Sequence, residues 1–81
     1  MVMVDVEVPA LDRVYDFELE KEALTGELTE KIVTLIVQNS GLLKEQSEEL
    51  YLYALQQEKI LNPKMTLKQQ GIQNGDRLVL I

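Results

Sequence analysis

Thr66-Leu67-Lys68-Gln69-Gln70-Gly71-Ile72-Gln73-Asn74-Gly75-Asp76-Arg77 leads into Leu78-Val79-Leu80-Ile81, and the sequence stops there. Thr66 followed by Gln69 three residues later is a small capping-box pattern, which predicts a single helical turn near residues 66–70. Asn74-Gly75 supplies the positive φ angles of a tight turn. The apolar residues that close the chain read as a strand. A polar turn that opens into such a strand needs a sheet to receive it, with a central place beside the first strand of the chain.

Upstream residues supply that sheet. Leu50-Tyr51-Leu52-Tyr53-Ala54-Leu55 reads as a third strand, rich in residues that suit a pleated surface. Gln56-Gln57-Glu58 turns the chain, Lys59-Ile60-Leu61 forms a short fourth strand, and Asn62-Pro63 breaks it. Before them Leu28, Ile32, Leu35 and Ile36 recur at helical spacing, widened by Val33 and Val37, so a helix is expected at about residues 26–39. Thr25 is its expected N-cap, with Glu27 and Glu30 near the positive end of the dipole, and Gly41 its expected stop. Leu42 to Glu49 is a polar, acid-rich connection. At the start, Val2, Val4, Val6 and Val8 alternate with Met3, Asp5 and Glu7, a strand with a valine face turned inward. Pro9 ends it, and after a short loop Tyr15, Phe17 and Leu19 alternate with Asp16, Glu18 and Glu20 in a second, antiparallel strand.

Composition narrows the function classes. At 81 residues the chain is expected to be one domain, residues 1–81, in which nearly every long apolar side chain is needed inside. There is no Cys and no His, which removes disulfides, thiolate metal sites, the Cys nucleophile and the commonest general base. The net charge of −6, with basic residues scattered singly, argues against nucleic acid as a partner. No apolar run approaches the length of a membrane span and no signal peptide opens the sequence, so a cytoplasmic protein is expected.

One helix covers only one face of such a sheet, which makes this an α+β roll. In element order and in its closing residues the chain resembles the ubiquitin-like β-grasp fold, with a mixed four- to five-stranded sheet and one main helix packed on one face. More narrowly it resembles the YukD/EsaB family, ubiquitin-like accessory proteins of bacterial type VII secretion. The residues that carry the resemblance are Lys59-Ile60-Leu61-Asn62-Pro63, Met65-Thr66-Leu67, Gly71-Ile72-Gln73-Asn74-Gly75-Asp76 and Leu78-Val79-Leu80. Related EccD membrane components carry a similar domain ahead of transmembrane helices; with its own start Met and no membrane segment, this chain is expected to be the free-standing form. The resemblance implies a non-enzymatic adaptor with no cofactor, touching cytosolic domains of a membrane secretion machinery that exports WXG-type substrates.

The ending bears on this expectation. A conjugated modifier activates a terminal glycine carboxylate on a flexible tail, whereas Ile81 is a strand residue without reach. A non-conjugating module is therefore expected; the alternative is a ubiquitin-like modifier whose Gly-Gly tail lies beyond Ile81. The binding surface expected in place of a tail lies on the open sheet face. If Leu78 and Leu80 point at the helix, Val79 and Ile81 point away; if Leu50, Leu52 and Ala54 point inward, Tyr51 and Tyr53 point outward, and Met3 joins them from the first strand. A slip of one residue in the third strand would instead send both tyrosines into the core. The acidic residues Asp5, Glu7, Asp16, Glu18 and Glu20 read as a solvated face rather than a cation site. Ser40, Ser47 and Lys59 have no partners at a catalytic spacing. An alternative from another class is a small regulatory subunit of a multicomponent enzyme.

Overall fold

A computed structural model describes residues 1–40 and 50–81, apart from the side chains of Asn39 and Ser40. The valine alternation produces β1 (Val2–Val8), whose four valines are all buried. Pro9–Leu11 make one 3-10 turn that closes on Asp12 in the left-handed region, its N–H bonded to the Pro9 carbonyl at 3.1 Å. The chain then returns as β2 (Arg13–Leu19), antiparallel to β1 over all seven residues. Tyr15, Phe17 and Leu19 lie opposite Val6, Val4 and Val2, so both strands turn their apolar side to the same core.

Helix α1 (Thr25–Ser40) covers that side. Leu28, Ile32, Val33 and Ile36 are buried against the sheet, while Leu35, expected in the stripe, is exposed on the outer surface. Its place three residues from Ile32 and seven from Leu28 looks apolar in one dimension. The helix nevertheless rolls toward Val33, and Leu35 turns to water. Thr25 is not the N-cap. The first intrahelical bond runs from the Leu28 N–H to the Leu24 carbonyl at 3.1 Å, so Thr25 already lies in the first turn. Its N–H and that of Gly26, which lack intrahelical partners as at every helix start, donate to the carbonyls of Met65 and Pro63, both at 2.9 Å. Main chain from residues 63–65 thus does the work a capping side chain usually does. The expected stop at Gly41 and the connection Leu42 to Glu49 lie outside the described residues.

After the helix come β3 (Leu52–Ala54), β4 (Lys59–Ile60) and β5 (Arg77–Leu80). The sheet order is β2-β1-β5-β3-β4, with β5 parallel to β1 and antiparallel to β3. The closing strand therefore occupies the central place expected for it, and the architecture is the mixed-sheet, one-helix α+β roll of the β-grasp. Leu52, Ala54, Leu61, Leu67, Ile72, Leu78 and Leu80 complete the core beneath the helix. This fixes the phase of the third strand: Leu52 and Ala54 point in, Tyr51 and Tyr53 out.

Residues 62–75 form the remaining wall. The capping box is present in both halves, Thr66 N–H to Gln69 Oε1 at 2.9 Å and Gln69 N–H to Thr66 Oγ1 at 3.0 Å. In the Asn74–Gly75 turn only Gly75 takes a positive φ, +88°; Asn74 contributes its side chain, whose Oδ1 accepts the Met3 N–H at 2.9 Å. Behind the wall the Gln70 amide is buried. Its Nε2 donates to Thr25 Oγ1 at 3.0 Å and lies within 3.1–3.4 Å of the carbonyls of Asn62, Thr66 and Met65, while Oε1 accepts the Asn62 N–H at 2.7 Å. One side chain ties the helix start to the loop that caps it.

Candidate functional site

The sheet face turned away from α1 is made by the residues that alternate with the core, and the strand registers set them in transverse rows. One row holds Asp16, Asp5 and Arg77, continued by Leu55, whose N–H bonds the Arg77 carbonyl at 3.0 Å. The next row holds Val14, Glu7, Val79, Tyr53 and Ile60. Beyond it Ile81 and Tyr51 exchange both backbone hydrogen bonds, at 2.8 and 2.9 Å, so the pairing of β3 with β5 continues past the named strand ends.

Across these rows the face divides in two. The half over β5, β3 and β4 presents Tyr51, Tyr53, Leu55, Ile60, Val79 and Ile81. The half over β1 and β2 presents Asp5, Glu7, Asp16 and Glu18, with Met3 and Val14 exposed among them. Arg77 stands at the boundary, its guanidinium 3.6 Å from Asp5 and 3.7 Å from Glu7. At these separations and with all three side chains well exposed, each pair contributes less than about 1 kcal/mol. Asp5 and Asp16 face each other directly across β1 and β2. A hydrogen bond with Asp5 and repulsion from its charge raise the Asp16 carboxyl above the ordinary aspartate value of 3.8, against a smaller opposing pull from Arg77. Among the described residues, no group of three carboxylates converges to hold a metal ion.

The structure brings together four of the five residues expected on this face. Tyr53 lies directly opposite Val79, and Tyr51 opposite Ile81. Tyr51 and Ile81 are exposed; Tyr53 and Val79 are half-buried among their neighbours. Met3 is exposed on the same face, but it sits four residues before Glu7 on β1, roughly 13 Å along the strand from the row of Val79. Its neighbours there are Glu18 and the Asn74–Gly75 turn. Ile60 was not singled out from the sequence, although at 55% exposure it extends the apolar half to the sheet edge opposite Tyr53. The adjacent apolar pair Ile60-Leu61 has no alternation from which to tell the inward residue from the outward one.

Comparison with known proteins adds the lineage. Residues 3–80 match the family model described as the WXG100 protein secretion system (Wss), protein YukD. Among curated proteins none matches significantly. Several solved structures share the fold. A Caldiarchaeum subterraneum ubiquitin superposes with a TM-score of 0.75 at 20% identity, covering 99% of this chain and 90% of that one. A ubiquitin-like domain of an Arabidopsis thaliana protein gives 0.72 at 21% identity, over 99% of this chain and 74% of that one. An N-terminal ubiquitin-like domain solved in solution gives 0.76 at 21%, over 99% and 72%. At such identities these likenesses speak for the ubiquitin-like fold and for nothing finer, whereas the family match runs from Met3 to Leu80, and on that match the chain belongs to the YukD family.

Proposed function

We propose that the chain is a non-enzymatic protein-binding module of a WXG100-type secretion system, and that it acts by docking a cytosolic segment of the membrane machinery on the apolar half of its open sheet face. The observation that carries this is the contiguous set Tyr51, Tyr53, Leu55, Ile60, Val79 and Ile81, assembled by register on a face that no element of the chain covers among the described residues. Aromatic and β-branched residues gathered on a small surface are the usual anchors of a protein contact. The family match supports the setting, while Met3, beside Glu18 and the Asn74–Gly75 turn, lies apart from the apolar half.

The test is the double variant Tyr53→Asp/Ile81→Asp. Both side chains already meet solvent, so its melting temperature should stay within a few degrees of the parent chain. Capture of the cytosolic domains of the secretion machinery by the tagged chain should be lost. Undiminished capture by the folded variant would remove this face from the function. Co-purification of the parent chain with the subunits of a multicomponent enzyme, in place of the secretion machinery, would overturn the setting as well.

A further inference from the structure

The open face has a second property that apolar anchoring alone does not use: its charge is one-sided. Beside the apolar half stand Asp5, Glu7, Asp16 and Glu18, with Arg77 as the one cation in their rows. A partner that lays an apolar surface over Tyr53 and Val79 must also bring something over β1, one strand spacing of about 4.8 Å away. Carboxylates there would meet four others, at a cost that exposure and salt only partly screen. Lysine or arginine would meet negative charge that Arg77 neutralises only in part.

The dimensions of the apolar half say what shape fits it. It spans β5, β3 and β4, about 10 Å across, and runs from the level of Leu55 to that of Tyr51, about 13 Å along the strands. Those are the diameter of a helix and the length of two to three of its turns. Along β1, Asp5 and Glu7 stand about 6.6 Å apart, close to the 6 Å rise between helix positions i and i+4.

We infer that the occupant of this face is an amphipathic helix of another protein, its apolar stripe on Tyr53, Val79 and Ile60 and lysines or arginines along one flank over Asp5, Glu7 and Asp16. This rests on the proposed function, whose surface it gives a polarity. A second copy of the chain does not suit the face, because each copy carries a net charge of −6. The small footprint implies weak, rapidly exchanging contact.

Two synthetic helices of about 18 residues test this. They share one leucine stripe and differ only in one flank, which is lysine in the first peptide and glutamate in the second. Each is titrated into the isotope-labelled chain while its backbone amide signals are followed. The lysine peptide should shift the signals of Tyr53, Val79 and Ile60 together with Asp5, Glu7 and Asp16, and should bind at least about tenfold more tightly than the glutamate peptide. The variant Asp16→Lys/Glu18→Lys, altered only at exposed positions of the edge strand, should erase or invert that preference. Equal affinity of both peptides for the apolar half would overturn the basic-flank assignment while leaving the apolar docking face standing. Signals that move with protein concentration in the absence of peptide, or a lysine peptide that shifts no open-face signal, would overturn the occupant itself. The Tyr53→Asp/Ile81→Asp capture experiment then judges the proposed function separately.

Discussion

At the scale of the residue, Gln70 shows how a polar side chain can hold a small fold together. Its two amide hydrogens are shared among four oxygens, and its own oxygen takes the Asn62 N–H, while the Thr25 hydroxyl donates to the Met65 carbonyl at 2.6 Å. Every buried side-chain polar atom among the described residues finds a partner this way. Gln70→Leu would keep much of the volume but leave the Asn62 N–H and the Thr25 hydroxyl oxygen without their partner inside the protein, so we expect a loss of about 2–4 kcal/mol in urea unfolding. A loss below about 0.5 kcal/mol would show that water replaces the amide there. This role was invisible in the sequence, where Gln70 is one of several polar residues in a turn. Glutamine is mostly an exposed residue, and here its own segment folds around it while Thr25 approaches from 45 positions away.

At the scale of the element, the sequence was most legible where the two sides of a strand differ in chemistry. Valine against Met3, Asp5 and Glu7 leaves one possible phase for β1, and the structure has it. In Leu50-Tyr51-Leu52-Tyr53 both phases are apolar, so alternation alone admits either; β5 decides, because Leu52 and Ala54 must share a face with Leu80 and Leu78. The helix start was misread for a related reason. Thr25 has the chemistry of an N-cap, but the caps are carbonyls of a segment near residue 64 that no local pattern reveals. That docking makes Gly26 a test. A Cβ at this position would lie 3.1 Å from both the Cβ and the carbonyl oxygen of Pro63, while the Gly26 N–H holds that same carbonyl. Alanine ordinarily gains about 1 kcal/mol over glycine inside a helix. Here a rigid proline and a bonded carbonyl stand in the way, so Gly26→Ala is expected to lower stability by about 1 kcal/mol. A melting temperature above that of the parent chain would mean that the loop retreats without loss.

At the scale of the whole molecule, the division of the open face into apolar and acidic halves carries a cost in the free protein. Asp5 and Asp16 are held opposite one another by seven paired residues of β1 and β2, and the Asp16 carboxyl is raised by a hydrogen bond with Asp5 and, after it, by repulsion from its charge. A carboxyl whose folded pKa lies above its unfolded one binds its proton more readily in the folded state. The charged form therefore opposes folding. The opposition is absent below 3.8, the ordinary aspartate value, and grows as the pH rises through the raised folded value. Asp16→Asn removes that charge, so its melting temperature should exceed that of the parent chain at neutral pH, and the difference should shrink toward zero as the pH falls through the window above 3.8. A difference that stays constant with pH would assign the effect to the altered side chain rather than to its charge. The same charge is what a basic flank would neutralise, so a bound lysine-flanked helix should abolish the stabilising effect of Asp16→Asn at neutral pH. In that complex the parent chain should melt at or above the temperature of the variant, because the repulsion that weakens the free molecule has become an attraction to its partner.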